Sequence, residues 1–325
     1  MAAPNIKIVM TGPTGTGKTS LLAAMYPHLE TQFPNGDYEL KPDENTRTSL
    51  DELRNKLSQL GEGGIVVKDK RIEGGKECDE FRFELQYEND YNAKSTELSL
   101  QIFDIPGAYC TEDNGTQAKS FLLNSDISFW CIDSVAMMEP KSSRGQWIGE
   151  DNLSVNKPEA MVNLLANSGI NESHTVVIVL MRAESYRTNG YTELYEQLKT
   201  KIARYVLELR KNRKINKVYY CAVETTGNLI YQGGDADKGY EFIREASKTY
   251  KPENCEIPVL CAVKSALEKT VEQAQRRYDR LAQRLPFLRF WLAAKPKSIA
   301  KRLARRLKKS EATLQRHLQS KLFEW

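Results

Sequence analysis

The stretch Gly12-Pro-Thr-Gly-Thr-Gly-Lys-Thr-Ser20 follows directly on the apolar run Ile6-Lys-Ile-Val-Met10. Gly12, Gly17, Lys18 and Thr19 fit the spacing G-x-x-x-x-G-K-[ST], and the surroundings are those the spacing needs: a short β-type run before it and a helical run, Ser20 to Glu30, behind it. Glycines let the segment Gly12, Pro13, Thr14, Gly15, Thr16, Gly17 curl so that its N–H groups point inward and make a nest for phosphate oxygens. The helix opened by Lys18, Thr19 and Ser20 adds its positive N-terminal end. Lys18 is then placed to reach the β- and γ-phosphates of a nucleotide, and the Thr19 hydroxyl to ligate magnesium. A chain that starts this way is committed to a β-strand, a phosphate-binding loop and a helix.

With 325 residues the chain has room for one large domain or two ordinary ones. Its 40% hydrophobic and 28% charged residues are an ordinary soluble balance, ample for a sizeable core. The longest apolar stretches are too short to cross a bilayer, and a strand expected from residue 6 leaves no stretch for a signal peptide, so the expectation is a cytoplasmic protein. Six cysteines without a C-x-x-C pair read as reduced, mostly buried small hydrophobes. Together with three scattered histidines, they speak against a zinc site or a disulfide frame. The net charge of +4 hides an asymmetry: residues 276–325 carry fifteen Lys/Arg against three Asp/Glu, a net of +12, which leaves −8 for the rest. An acidic partner is expected at the tail.

Further along, Glu80 to Tyr87 alternates apolar and polar residues, the pattern of a half-buried strand, and Leu98 to Phe103 follows after a turn-like linker, Asn89 to Lys94. The second of these strands ends in Asp104-Ile-Pro-Gly107. Asn124 to Ser134 contains another strand-like run. Thr175 to Leu180 is continuously apolar, as a strand buried on both faces should be. A helix is expected at about Tyr191 to Lys211, then a strand, Val218 to Val223, ending in Glu224-Thr225-Thr226-Gly227. Strands alternating with helices predict a three-layer α/β fold around a mostly parallel sheet, with the nucleotide at the carboxyl ends of the strands.

A hairpin whose second strand delivers D-x-x-G behind a P-loop helix resembles the Ras-like G domains of the translation-factor-related (TRAFAC) P-loop GTPases, over roughly residues 5 to 230. The resemblance implies GTP or GDP as ligand. It gives magnesium to Thr19 and Asp104, the latter through water, and brings the Gly107 N–H to the γ-phosphate, so that Lys18, Thr19, Asp104 and Gly107 form the catalytic set. Thr225 and Thr226 would lie in the base-contacting loop. Three departures accompany it. The base-reading motif N/T-K-x-D becomes Met181-Arg182-Ala183-Glu184: Glu184 supplies the carboxylate one methylene longer, and Arg182 replaces the lysine that stacks on the purine and braces the P-loop. ATP therefore stays open as an alternative. Ala108 follows D-x-x-G where many relatives carry a water-orienting glutamine. Residues 61–75 contain no switch threonine; either Thr46 or Thr48, further back, closes over the site, or the switch is non-standard. The expectation is a GTPase of weak intrinsic activity, with a non-hydrolysing scaffold and an ATPase as the competing readings.

The domain reading is a G domain over residues 1–264 with insertions at about 34–79 and 134–170, the second holding Arg144, Trp147 and a helix near Pro158 to Ala166. A basic helical extension over 265–325 follows. Gly233 to Asp237 reads as a turn, Ile257 to Val263 as a short strand or a helix start, and Ser265 to Arg284 as a helix. In the tail, a leucine stripe runs opposite Arg302, Arg305, Arg306, Lys308 and Lys309, next to Phe287, Phe290 and Trp291. Such a segment packs on its own domain, docks on a partner protein, lies on an anionic membrane surface as a peripheral anchor, or tracks nucleic-acid phosphates. More loosely, the whole chain resembles the double-GTPase type proteins of bacterial conflict systems. That likeness implies a nucleotide-gated regulator or adaptor for effector proteins in antiviral defence, and homo-oligomerisation stays open.

Overall fold

The computed structural model describes residues 3–31, 38–59, 67–68, 77–88, 94–110, 115–138, 165, 174–211, 215–235, 239–244, 249–284 and 323–324. Arg144, Trp147, most of the helix expected near Pro158 to Ala166, and the tail residues from Phe287 to Leu322 lie outside them.

Strand β1 (Asn5–Thr11) runs through the middle of an eight-stranded sheet, parallel to β5 (Lys94–Asp104) on one side and to β6 (Ile127–Asp133) on the other. Beyond β6 the sheet continues in parallel with β7 (His174–Met181) and β8 (Ile215–Ala222), and the two-residue β11 (Phe323–Glu324) closes that edge antiparallel. On the other side, β4 (Asp79–Glu88) pairs antiparallel with β5, and β2 (Tyr38–Pro42) with β4. The spatial order is β11-β8-β7-β6-β1-β5-β4-β2. The D-x-x-G hairpin expected from the alternation thus exists, and its second strand lies against β1, with Met10 opposite Asp104.

Side-chain alternation along each strand builds two cores. From β1, Ile8 and Met10 go into one, with Leu21, Leu22 and Met25 of α1 (Lys18–Thr31), Leu50 of α2 (Glu44–Gln59) and Val259, Leu260 and Val263 of α6 (Ile257–Arg284). Val9 goes into the other, with Ala118 and Leu122 of α3 (Gly115–Leu123), Ala136 and Met137 of α4 (Ser134–Met138), and Leu194, Leu198, Ile202 and Leu209 of α5 (Thr192–Lys211). Every residue of β6 and β7 is buried, which explains their continuous apolar runs. The cysteines follow the expectation: Cys131, Cys221, Cys255 and Cys261 are buried and unbridged, and Cys78 and Cys110 are half-buried.

Two local expectations are corrected. Gly233 to Asp235 belong to β9 (Leu229–Asp235), not to a turn. This strand pairs antiparallel with β10 (Gly239–Arg244), which in turn pairs with β3 (Val67–Lys68). The glycines suggested a turn, but Tyr231 facing Phe242 across the ladder holds the pair together, with ring centroids 5.9 Å apart. Secondly, the helix expected from Ser265 already starts at Ile257, so of the two readings of Ile257 to Val263 the helix start is the one found. Pro258 is tolerated because the first turn of a helix needs no N–H from it. The first turns of α6, Ile257 to Val263, are apolar all round because they are sunk into the core. Further along, Thr175 and Ser265 hydroxyls lie 2.6 Å apart and Lys269 donates to Asp126 at 2.9 Å.

Leu260 is fully covered by this packing. Leu260→Ala is expected to lower stability by roughly 2–5 kcal/mol in urea unfolding, the range for a buried leucine. A loss below about 1 kcal/mol would mean that α6 does not share the core.

Candidate functional site

The carboxyl ends of β1, β5, β6, β7 and β8 meet along one edge of the sheet, and the sequence-predicted residues gather there. At the end of β1 the chain turns into the curl Gly12 to Gly17. Lys18 folds back into it and donates from Nζ to the carbonyls of Gly12, at 2.9 Å, and Pro13, at 3.2 Å. The Thr16 hydroxyl closes the curl on Pro13 O at 3.0 Å. Gly12 has φ +145°, and a Cβ there would stand 2.6 Å from the carbonyl oxygen of Cys131, so the neighbouring strand enforces glycine. Lys18 is buried, an ammonium held by carbonyl oxygens that a phosphate would replace.

Thr19, one residue into the helix, donates its hydroxyl to Asp104 Oδ2 at 2.5 Å. Burial pushes the Asp104 carboxyl above its ordinary range, while Lys18 and the Thr19 hydrogen bond pull it back. Two adjacent hard oxygen donors suit magnesium. Among the described residues no group of three or more His, Cys, Asp or Glu assembles, so the remaining ligands would come from nucleotide phosphates and water.

Gly107 opens a short 3-10 turn, Gly107–Cys110, that rests on the loop itself: a Cβ on Gly107 would lie 2.0 Å from Thr14 N. Cys110 at the end of that turn accepts the Gly12 N–H on Sγ at 3.5 Å. The D-x-P-G segment and the loop are therefore in direct contact. Cys110 was not read as a site residue, since only the fold returns it to the loop. Ala108 in the same turn has nothing but a methyl group to offer a water.

On the base side, Arg182 takes a left-handed conformation, φ 58° and ψ 41°. Its Nη2 donates to Gly15 O at 2.5 Å and its Nη1 to Asp133 Oδ2 at 3.2 Å. The bracing contact implied for Arg182 is thus present, and Asp133 is a member of the site that the sequence reading did not single out. Glu184 is buried, and its Oε1 accepts three donors: Thr226 N at 2.9 Å, Thr226 Oγ1 at 2.9 Å and Gly227 N at 3.3 Å. Oε2 accepts none among the described residues. Thr225 is buried beside Thr226. Glu184 therefore ties the loop after β8 to the loop after β7 through one carboxylate oxygen.

Two expectations do not reach this cluster. The hydroxyl of Thr46 accepts the Arg82 N–H at 2.9 Å on β4, and its own N–H is capped by Asp43 at 2.8 Å. Thr48 donates to Glu44 O within α2. Both threonines serve the start of α2, so neither supplies a switch hydroxyl in this structure.

Glu224 was read as part of the base loop by position only. Its side chain is fully buried, accepts the Tyr191 hydroxyl at 2.7 Å and lies 3.7 Å from Arg187 Nη1. Burial raises its pKa to about 7, opposed by the Tyr191 hydrogen bond and Arg187 and reinforced by Glu184. A carboxyl whose folded pKa lies above the unfolded value stabilises the fold fully below the unfolded value, near 4.5, and loses that contribution as pH rises toward 7. The difference in melting temperature between the wild type and Glu224→Gln should therefore shift in favour of the variant from pH 4.5 to pH 7.5. Equal pH slopes for the two proteins would contradict the raised pKa.

No protein-family model and no curated protein matches the chain. Among solved structures it is similar to the Saccharomyces cerevisiae Ski7 GTPase-like domain bound to GTP, with 16% identity over 69% of this chain and 43% of that one, at a TM-score of 0.35. It is also similar to Sup35 complexed with GDP, 14% identical over 69% and 38% at a TM-score of 0.33. A third match is elongation factor SelB from Methanococcus maripaludis with the GTP analogue GPPNHP, 11% identical over 69% and 31% at a TM-score of 0.32. The chain spans less than half the length of each of these structures.

Proposed function

We propose that this chain binds a guanine nucleotide with magnesium, hydrolyses it slowly, and works as a nucleotide-gated switch or adaptor for partner proteins. The observation that carries the binding reading is the convergence of Lys18, Thr19 and Asp104 on one backbone curl braced by Arg182. A triphosphate in that curl would take the Lys18 ammonium from the carbonyls of Gly12 and Pro13, and magnesium would sit between the Thr19 hydroxyl and the Asp104 side. Guanine is favoured over adenine because the uncommitted oxygen of Glu184 is an acceptor: guanine offers it N1–H beside the exocyclic 2-amino group, whereas adenine has an acceptor at N1 and no amino group at C2.

The switch reading rests on Gly107. Its backbone lies against the loop so closely that a Cβ there would stand 2.0 Å from Thr14 N, so a rearrangement of the loop around a phosphate would be passed on to the segment 105–110. Occupancy of the loop is thereby coupled to the position of a surface turn, the physical requirement for a nucleotide-dependent partner site. Ala108 supports slow turnover, and it equally supports a second reading in which the nucleotide is held and never cleaved. The looser likeness of the sequence to bacterial conflict-system GTPases supports a partner role in antiviral defence.

Lys18→Ala is expected to abolish tight binding of a fluorescent GTP analogue, because Arg182, the other described cation at the curl, is engaged by Gly15 O and Asp133. Glu184→Gln, which can keep the three bonds to the Thr226 loop on its remaining oxygen, should weaken GTP by roughly 2–5 kcal/mol and leave ATP nearly unchanged. Micromolar binding by the first variant, or equal losses of both nucleotides in the second, would overturn the assignment.

Turnover by the isolated protein should be on the order of 10⁻⁴–10⁻² s⁻¹, against several per second for an activated GTPase. Asp104→Asn should suppress it further. Phosphate release by the wild type at no measurable rate, with GTP retained, would select the non-hydrolysing reading.

A further inference from the structure

On β10, Phe242 and Arg244 are two residues apart, beyond the irregularity between Glu241 and Phe242, so both side chains leave the same face of the strand. That face is turned toward the base side of the loop cluster, because the Arg182 guanidinium lies 5.5 Å from the centroid of the Phe242 ring. Arg244 is only 7% exposed, and its one hydrogen bond among the described residues is long, 3.4 Å from Nη1 to Ser58 O at the end of α2. Its Nε and Nη2 are buried without a partner among the described residues. Two adjacent buried donors left unpaired are costly, and they form a fork that calls for two adjacent acceptors.

The chain path links this fork to Glu184. Glu184 holds Thr226 and Gly227; Leu229, two residues on, stands directly opposite Arg244 in the β9–β10 ladder. The segment 249–251 is sewn to the same turn by Asn228 Nδ2 donating to Thr249 O and by Lys251 N donating to Thr226 O at 3.3 Å. Between those two bonds sits Tyr250, whose buried hydroxyl also has no partner among the described residues and feels the charges of both Arg244 and Glu184.

We propose that the β9–β10 hairpin covers the base pocket and that Arg244 is a second guanine-reading residue, its Nε and Nη2 donating to O6 and N7 while Glu184 takes the opposite ring edge. The proposal rests on the guanine reading above and extends it. Guanine presents O6 and N7 as neighbouring acceptors, the pair an arginine fork matches, whereas adenine puts an amino donor in place of O6. Met181, at the first position of the base-reading stretch, brings no donor to compete for them. A second anion is disfavoured here, since Glu184 and the buried Glu224 already crowd the turn with carboxyl groups. Phe242 supplies the apolar face that a purine needs beside Arg182.

The test compares GTP, 7-deaza-GTP and ATP by calorimetric titration on the full chain, for the wild type, Arg244→Gln and Arg244→Lys, with thermal unfolding of each protein alongside. The wild type should bind 7-deaza-GTP about tenfold more weakly than GTP, and Arg244→Gln should lose about tenfold or more for GTP. That variant should no longer distinguish GTP from 7-deaza-GTP, and ATP should stay unchanged. Arg244→Lys, with charge but no fork, should behave like the glutamine variant. If the wild type prefers GTP but binds 7-deaza-GTP equally well, the Arg244 proposal is overturned and the guanine reading stands. If the wild type binds ATP as well as GTP, the guanine reading itself fails. Equal losses for all three nucleotides, together with a lower melting temperature, would reduce Arg244 to a cap on α2. The 7-deaza comparison on the wild type keeps the test decisive even where a variant does not fold.

Discussion

The Lys18 ammonium inside the curl of Gly12 to Gly17 is the constraint around which the rest is arranged. A buried cation needs oxygen partners on all sides, and here they are main-chain carbonyls of the very loop that carries it. The curl can only be that tight because β1 delivers it between β5 and β6, with the Cys131 carbonyl closing off Gly12 from one side. From the other side β5 brings Asp104, placed by its register with Met10 and bonded to Thr19. The proposed phosphate and cation sites are therefore consequences of the order in which three strands lie side by side.

A second tier of contacts fixes the neighbouring loops against that centre. Arg182 reaches from the end of β7 to Gly15 and to Asp133 at the end of β6, and Glu184 gathers the turn after β8. Arg182 holds a backbone carbonyl and a carboxylate, and Glu184 two backbone N–H groups and a hydroxyl, so the geometry of this side depends on three loops at once. The Glu224–Tyr191 pair sits behind this tier and has its carboxyl lifted to about 7 by burial.

The sequence made the centre legible because its chemistry is local. The spacing of Gly12, Gly17, Lys18 and Thr19 is a short-range requirement, and the alternation of Phe81, Phe83 and Leu85 follows from one face of a strand being buried. Most expected elements exist within a few residues of their expected ends. The failures have the opposite character. Gly233 and Gly234 suggested a turn because their strand is stabilised by Tyr231 and by a partner strand that local composition cannot announce. Ile257 to Val263 stayed ambiguous because a helix buried on all sides loses its period. Thr46 looked available to the site because nothing in its neighbours reveals that the Arg82 N–H claims its hydroxyl.

What the sequence by itself determined is a strand, a glycine-rich curl and a helix, followed by a D-x-x-G strand and an arginine and a carboxylate at the end of a buried strand. Each of these is written in contiguous residues, whose conformational needs are set by glycine, proline and side-chain period. Only the tertiary structure decided what meets the curl. It put Gly107 and Cys110 on the loop, Asp133 under Arg182, and Phe242 on the base side, with Arg244 beside it across from the turn that Glu184 holds. These pairs are separated by tens to more than a hundred residues, and their distances follow from strand order and packing, which no local pattern encodes.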